Sequence, residues 1–315
     1  MNKQHERLRL GTAPDSWGVW FPDDPAQVPW SQFLDEAASA GYRWIELGPY
    51  GYLPTDPAQL AGELNSRGLQ LSGGAVFTGL HRGADALQQA IEDCRQEARL
   101  LTALDASHLV LLPEGYTDPD GNITQPVDLD HDQWGDLTGG MNQLAKVIAD
   151  EFDLSLVFHP HADSHVGTQP EVERFLSDTD PTLVNLCLDT GHISYCHGDN
   201  LELIRRYPER IGYVHLKQVD PAVLSRVEEE KLCFAEAVHL GAMTEPPNGI
   251  PAMQPLIDCL ARLDVDLFAI VEQDLYPCER DVPFPIAKRT HEYLGACGLG
   301  PGNRSAAVIT ERRNS

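Results

Sequence analysis

The sequence lacks paired cysteines. Its 315 residues include seven cysteines, and no two of them form a Cys-x-x-Cys pair. An odd number of scattered thiols is typical of a reducing compartment, and it fits neither a disulfide framework nor a zinc ribbon. We therefore expect free thiols at all seven positions. These are Cys94, Cys187, Cys196, Cys233, Cys259, Cys278 and Cys297.

Positive charge is scarce as well. Lys and Arg together number 23, whereas Asp and Glu number 48, and the formal net charge of −25 is spread along the chain. A protein that binds nucleic acid needs a basic surface to neutralise phosphates. The charge therefore argues against a nucleic-acid partner.

Long apolar runs are also missing. No stretch reaches the roughly 18 apolar residues that a membrane-spanning helix requires. The polar residues 1–7 lead into no apolar segment, which is unlike a secretory signal peptide. We predict a cytoplasmic protein with no membrane partner. Whether it forms a homo-oligomer is left open by the sequence.

Short apolar runs that alternate with amphipathic segments dominate the chain. The runs are nearly continuous in Val, Ile, Leu and Phe, which indicates strands buried on both faces of a parallel sheet. The eight predicted strands are residues 8–13, 43–47, 69–76, 108–112, 154–158, 184–188, 211–216 and 267–271. The amphipathic segments predict helices over residues 30–40, 84–104, 136–150, 169–176, 201–207, 253–263 and 284–294.

This alternation predicts an α/β fold, a (β/α)₈ TIM barrel that forms one domain over residues 8–298. An open doubly wound sheet is the alternative, but no Gly-x-Gly-x-x-Gly motif follows any predicted strand. Residues 114–135 and 221–249 are predicted to be long loops at the carboxyl ends of the strands, where active sites of such barrels lie. Residues 299–315 are predicted to be a disordered tail.

Each of the last four predicted strands ends at a residue that can bind a metal. These residues are His159, Asp189, His215 and Glu272. Because the carboxyl ends of barrel strands meet at one face, the four side chains can converge on one ion. Two imidazoles and two carboxylates favour Mn²⁺, Co²⁺ or Mg²⁺, with Zn²⁺ and Fe²⁺ as alternatives. The sequence therefore predicts one divalent ion.

Other polar side chains flank the predicted metal site. His161 shares a strand face with His159, so it could contact substrate or replace that ligand. His192 follows Asp189 closely and could hold that carboxylate in place. Lys217 points the same way as His215, and we predict that it contacts substrate; a salt bridge is the alternative.

Two residues near the start of the barrel are predicted to bind substrate. Glu46 lies within a buried strand beside Trp44, where a solvated carboxylate is unexpected. Trp17 follows the first strand and is predicted to provide an apolar wall for a sugar-like ring. Trp20 is predicted to pack within the protein.

The motifs at these positions resemble the xylose-isomerase-like barrels of the sugar phosphate isomerase/epimerase superfamily, and within it the inosose (2-keto-myo-inositol) dehydratases. The similarity runs from about residue 9 to residue 298. Its sharpest pieces are residues 41–52, His159-Pro160-His161, Asp189-Thr190-Gly191-His192, Val214-His215-Leu216-Lys217 and Val271-Glu272-Gln273-Asp274.

The resemblance implies a divalent-metal-dependent lyase that removes water from a polyhydroxylated cyclic ketone through a metal-stabilised enediolate. Epimerases of the superfamily usually carry a glutamate where His159 stands, so the imidazole favours elimination. In this interpretation Glu272 or His161 is the base, and His192 or Glu46 is the acid.

Three alternatives accompany that interpretation. The first is a keto-sugar isomerase or epimerase on the same scaffold. The second is an endonuclease, which shares the barrel but is disfavoured by the net charge of −25. The third is a barrel that binds a metal or a sugar without catalysis.

Overall fold

The computed structural model describes residues 5–118 and 121–301. The strands are β1 (Leu8–Thr12), β2 (Trp44–Glu46), β3 (Gln70–Thr78), β4 (His108–Pro113), β5 (Ser155–Phe158), β6 (Asn185–Asp189), β7 (Ile211–Leu216), β8 (Gln218–Val219), β9 (Met243–Thr244) and β10 (Leu267–Val271). All except β8 and β9 form one closed parallel barrel, in which β1 pairs with both β2 and β10. The predicted eight strands and TIM barrel are confirmed, and the open sheet is excluded.

Eleven α-helices lie in the described part of the chain. They are α1 (Trp30–Ala40), α2 (Pro57–Arg67), α3 (Ala84–Ala103), α4 (His131–Phe152), α5 (Gln169–Asp178), α6 (Thr190–Tyr195), α7 (Asn200–Arg206), α8 (Pro221–Glu230), α9 (Phe234–His239), α10 (Met253–Leu260) and α11 (Pro283–Ala296). None of them is long and apolar enough to cross a membrane.

The seven predicted helices are present, and the two predicted loops are shorter than expected. Helix α4 begins at His131 because the side chain of Asp130 accepts hydrogen bonds from the first helical N–H groups in a capping box. The loop after β4 therefore ends at residue 130. The segment 221–249 is not one long loop, because it contains α8 and α9. The side chain of Asp220 accepts hydrogen bonds from two N–H groups of the first turn and so caps α8.

Side chains that point into the barrel form a packed core. Val110, Val157, Cys187, Tyr213 and Ile270 are buried there against one another. A larger apolar cluster fills the layer between the strands and the surrounding helices. The barrel is thus a solid scaffold that holds the carboxyl ends of its strands in fixed positions. All seven cysteines are free, as predicted.

The residues after α11 close the amino-terminal end of the barrel. Leu299 is buried, the Leu10 N–H donates to the Gly300 carbonyl over 2.8 Å, and the Trp44 indole donates to the Pro301 carbonyl over 3.0 Å. Contacts with the barrel therefore continue beyond residue 298. The rest of the predicted tail, residues 302–315, lies outside the described residues, and disorder there stays a prediction.

Candidate metal and substrate site

The four predicted metal ligands lie together at the carboxyl ends of β5, β6, β7 and β10. One ligand atom from each of His159, Asp189, His215 and Glu272 lies within 4.8 Å of the others. The His159 Nε2 atom is 3.3 Å from Asp189 Oδ2, and the His215 Nδ1 atom is 3.1 Å from Glu272 Oε2. Consecutive strands of a closed barrel bring these side chains together, although they are far apart in sequence.

Asp189 divides its two carboxylate oxygens between two tasks. Its Oδ1 atom accepts hydrogen bonds of 2.8 Å from the backbone N–H groups of Gly191 and His192, and so caps the first turn of α6. Its Oδ2 atom faces the cluster, 3.3 Å from His159 and 3.7 Å from His215 Nδ1. The helix cap fixes the orientation of the oxygen that is free to bind an ion.

The donors in this cluster fit a divalent ion. His215 Nδ1 and His159 Nδ1 are buried and have no hydrogen-bond partner. An unpartnered buried nitrogen is costly unless it binds something, and His215 Nδ1 is directed at two carboxylates. Two imidazoles and two carboxylates, all but Glu272 fully buried, match the mixed nitrogen and oxygen set of Mn²⁺, Co²⁺, Zn²⁺ or Fe²⁺ sites.

Lys217 provides the positive charge of the site. Its Nζ atom is 2.8 Å from Asp274 Oδ2, 3.2 Å from Glu272 Oε2 and 3.3 Å from Asp189 Oδ2. Burial opposes its charge, but Asp189, Asp274 and Glu272 outweigh burial and raise the pKa of the ammonium group. Lys217 is therefore a cation here. The salt bridge that the sequence left as the alternative is present, and Lys217 also lines the cavity described below.

The same charges keep two carboxylates ionised. Burial raises the pKa of Asp189, yet Lys217 and the histidines lower it well below its usual value. For Glu272, His215 and Lys217 likewise outweigh burial and lower the pKa to about 2. Both groups are thus negatively charged at neutral pH, which is the form that binds a metal.

Two acidic residues of the site were not predicted. Asp15 and Asp274 lie near Lys217, at 3.9 Å and 2.8 Å from its Nζ atom. Burial, followed by the neighbouring carboxylates, raises the pKa of Asp15 well above its usual value. Asp274 stands two residues after Glu272, so the two-residue period of a strand was the signal that could have identified it. For Asp15 the sequence offers no such signal.

The rings of His161 and His192 contact each other beside the predicted metal ligands. Their ring centroids are 4.0 Å apart, and Phe234 of α9 packs against both. Burial and the adjacent imidazoles lower the pKa of His161 to about 3 and that of His192 well below its usual value. Both rings are therefore neutral. His192 holds the Asp189 carboxylate through its backbone N–H rather than through its ring. The Nδ1 atom of the His192 ring accepts a hydrogen bond from the Ala162 N–H over 3.1 Å.

Glu46 lies against a predicted metal ligand. Its Oε1 atom is 2.9 Å from His215 Nε2, and both side chains are buried. Glu46 also lines the cavity. The contact that the structure shows is thus with His215, and substrate binding by Glu46 stays a prediction.

One of the two tryptophans near the start of the barrel departs from its predicted role. Trp17 is fully buried and does not line the cavity. Its ring packs on Phe33, and its indole N–H donates to Glu36 over 2.8 Å. It cannot form the predicted apolar wall. Trp20 packs within the protein as predicted, because its ring stacks on Tyr276. It also lines the cavity, and its indole N–H donates to Asp15 over 3.0 Å.

A cavity of about 660 Å³ opens over the cluster at the carboxyl-end face. Its floor includes His159, His215, Lys217 and Glu272, and its sides include Trp20 and aromatic residues of the loops. The volume lies within the range of small-molecule sites. A closed α/β barrel with such a cavity over a His, Asp, His and Glu cluster has the architecture of a barrel enzyme with a candidate metal site.

The chain belongs to the xylose isomerase-like TIM barrel family, whose model matches residues 34–289. It is similar to an inosose dehydratase of Geobacillus kaustophilus, with 32% identity over 93% of this chain and 96% of that protein. An inosose dehydratase of Clostridium botulinum is 27% identical over 92% of this chain and 97% of its own. The chain is therefore an inosose dehydratase-like enzyme of the sugar isomerase superfamily.

Solved structures share the fold at lower identity. The probable 3-DHS dehydratase AsbF of Bacillus anthracis superposes with a TM-score of 0.69 at 16% identity, covering 91% of this chain and 98% of that one. The IOLI protein with a bound zinc atom superposes with a TM-score of 0.68 at 15% identity, covering 90% and 96%. At these identities the likeness concerns the fold alone.

Proposed function

We propose that this enzyme is a divalent-metal-dependent lyase that removes one water molecule from an inosose-type cyclic polyhydroxy ketone. The observation that carries the proposal is the 32% identity to an inosose dehydratase across nearly the whole of both chains. The buried cluster of His159, Asp189, His215 and Glu272 at the floor of the cavity supports it.

One divalent ion would be held by His159, Asp189, His215 and Glu272. When bound, it supplies Lewis-acid polarisation of the substrate's carbonyl and hydroxyl oxygens, which acidifies the neighbouring C–H. Mn²⁺, Co²⁺ and Mg²⁺ are the first ions to test. Zn²⁺ and Fe²⁺ follow, and a bound zinc atom in the structurally similar IOLI protein supports including the former.

His161 and Glu272 are the groups proposed to remove the proton next to the ketone. The His161 Nδ1 atom is 2.7 Å from the Ala162 carbonyl and donates to it, so the lone pair of this neutral ring is on Nε2. A neutral imidazole with a free nitrogen can act as a base. Glu272 is ionised and lies at the same floor of the cavity.

His192 is proposed to protonate the departing hydroxyl, with Glu46 as the alternative. Because His192 Nδ1 accepts the Ala162 N–H, the ring proton is on Nε2, which is 3.5 Å from Lys217 Nζ. A neutral ring does not give up its only N–H proton, so His192 would act as the acid only after taking up the proton that the base has removed from the substrate. The adjacent ammonium disfavours the resulting imidazolium and thus favours transfer of a proton from Nε2 to the hydroxyl, which leaves as water. Lys217 is proposed to hold a substrate oxygen, since it lines the cavity and remains charged.

The arrangement of carboxylates favours elimination over epimerisation. Inverting a carbon centre needs a proton acceptor and a proton donor on opposite faces of the substrate. Asp189 has one oxygen occupied as a helix cap and the other close to Lys217, and an imidazole stands at His159. Glu272 is thus the only ligand carboxylate left to move a proton. Elimination requires no such symmetry.

The test is incubation of the metal-loaded enzyme with inosose in deuterated water, followed by mass spectrometry and ultraviolet absorption. We expect a product that has lost one water and absorbs in the ultraviolet. A product that keeps the formula of the substrate except for one deuterium from solvent, and that has an inverted carbinol centre, would establish the keto-sugar epimerase instead. No turnover of any inosose or ketose, with bound metal verified, would contradict both and favour a binding protein.

A further inference from the structure

Glu97 is a buried carboxyl group that no part of the proposed chemistry uses. It lies on α3, on the helix face that packs against the barrel, and is 2% exposed. Its Oε1 atom is buried and has no hydrogen-bond partner. The carboxyl group hydrogen-bonds the Ala75 backbone, so Oε1 alone lacks a partner, and a buried polar atom without one calls for an explanation.

The neighbouring strand is built around this carboxyl group. A Cβ atom placed on Gly74 of β3 would lie 2.0 Å from Glu97 Oε1. Any side chain at position 74 would therefore occupy the space of the carboxyl oxygen. The absence of a side chain there lets Glu97 reach from the helix layer to the barrel wall.

The space around Glu97 belongs to the same cavity as the predicted metal ligands. Glu97, Glu46 and Ala75 all line the cavity. Strand β2 ends at Glu46, opposite Gly73 of β3, whereas β3 continues to Thr78. Beyond Gly73 the edge of β3 is therefore not paired with β2, and Glu97 hydrogen-bonds the Ala75 backbone there. The cavity extends from the predicted metal ligands to this part of α3.

We propose that Glu97 binds a hydroxyl group of the substrate ring and makes the cavity selective for fully hydroxylated rings over deoxy analogues. The proposal rests on the proposed function for the identity of the substrate. Glu97 would contact a hydroxyl on the side of the ring that faces β2 and β3, away from the Lys217 side of the site.

The chemistry of the buried carboxyl group suits a hydroxyl. Burial raises the pKa of Glu97 well above its usual value, more than the hydrogen bond with the Ala75 backbone lowers it. A neutral carboxyl group offers one O–H donor and free acceptor sites, whereas a hydroxyl both donates and accepts. A site built to hydrogen-bond a hydroxyl discriminates strongly against the analogue that lacks it, because its own polar atoms are then left unpaired.

The experiment compares Glu97→Leu, Glu97→Gln and Gly74→Ala with the unchanged enzyme on inosose and on its single-deoxy analogues. Glu97→Leu is expected to lower kcat/KM for inosose by about 10- to 100-fold. For the one analogue that lacks the contacted hydroxyl, the loss should be less than about threefold. Glu97→Gln, which keeps a donor and an acceptor, should retain more activity than Glu97→Leu. Gly74→Ala should reproduce the pattern of Glu97→Leu by displacing the carboxyl group.

The matched control is Glu92→Gln, which removes a carboxylate from the exposed side of the same helix, where it pairs with Arg95; it should leave kcat/KM unchanged. Equal losses on inosose and on every analogue would mean that Glu97 only supports the fold, and no loss would mean that it does not face the substrate. Either result overturns the proposal. If the unchanged enzyme dehydrates no inosose, the proposed function fails; calorimetric binding of inosose and its analogues then tests Glu97 with the same expected pattern.

Discussion

His215 of β7 donates its Nε2 proton to Glu46 of β2 over 2.9 Å, across the mouth of the barrel. The hydrogen bond leaves Nδ1 as the free nitrogen of the ring, directed at Asp189 and Glu272. A carboxylate that holds a histidine in this way fixes both the tautomer and the orientation of a metal ligand. Glu46 thus connects the first half of the chain to the four candidate metal ligands, which all come from the second half.

Glu46→Ala should weaken metal binding by about 10- to 100-fold, because His215 loses the partner that orients it. Glu46→Gln should weaken it less, since the amide oxygen can still accept the ring proton. Metal titration by calorimetry measures the effect. Glu36→Gln is the control, because Glu36 also accepts from an aromatic ring N–H, that of Trp17, but outside the cluster. Unchanged affinity in Glu46→Ala would contradict the positioning role.

Removal of the metal should lower the melting temperature. An ion that binds only the folded chain at 100 times its Kd stabilises that chain by about 2.7 kcal/mol, and each kcal/mol corresponds to about 1–2 °C for a chain of this length. Calorimetric melting with and without EDTA measures the shift. Asp189→Ala should fold, bind no ion and show no response to EDTA. Its free energy of unfolding should also be about 1 kcal/mol lower than that of the unchanged chain in EDTA, because α6 loses its cap.

His159→Glu should retain the metal but change the outcome of the reaction. The substitution places a second carboxylate at the floor of the cavity, so a proton can be returned to the substrate from another direction. Relative to elimination, we expect more exchange of the substrate's α-proton with solvent deuterium. Mass spectrometry of the recovered substrate and of the product gives the ratio of deuterium exchange to elimination. A ratio equal to that of the unchanged enzyme would contradict the interpretation that the imidazole of His159 favours elimination.

His108 should make the fold sensitive to acid. Burial, followed by the charge of Arg9, lowers its pKa to about 4, whereas in the unfolded chain it is about 6.5. Between these values the unfolded chain binds the additional proton, so stability is complete above pH 6.5 and falls as the pH falls towards 4. The full shift corresponds to about 3 kcal/mol, and the partial exposure of the ring reduces this to about 1–2 kcal/mol.

His108→Phe should therefore lose less stability between pH 7 and pH 4.5 than the unchanged chain. The ring packs against Tyr213 and Phe268, so phenylalanine preserves most of the packing. Urea denaturation in EDTA at each pH measures the difference. His239→Gln, at an exposed position on α9, is the control and should leave the pH dependence unchanged. Parallel stability curves for the His108→Phe variant and the unchanged chain would refute the assignment.

The barrel and its set of candidate metal ligands could be predicted because both depend on local patterns. Strands buried on two faces carry apolar runs, and a polar residue such as Asp189 at the end of such a run stands out. Helix α2 was not predicted, because its sequence is mostly polar and only Leu60 and Leu64 are buried. Its signals were the cap at Asp56 and the proline after it.

The different orientations of Trp17 and Trp20 could not be predicted from sequence patterns. Both follow β1 in a segment without strand or α-helix periodicity. Residues Pro14–Trp17 form a 3₁₀ turn that ends at Gly18 with a φ of 67°, and this turn directs Trp17 towards α1. Which tryptophan faces the cavity thus depends on backbone geometry that no period of 2 or 3.6 residues encodes.

The pairing of Gly300 with β1 has a practical consequence for attaching the enzyme to a surface. Both ends of the described chain lie at the amino-terminal end of the barrel, where a Cβ atom on Gly298 would meet the ring of His5 at 2.3 Å. The cavity opens at the opposite end. An enzyme immobilised near either residue would keep its substrate entrance towards the solution. The proximity of the two ends also suits a circular permutant, joined there by a short linker and opened in a loop elsewhere.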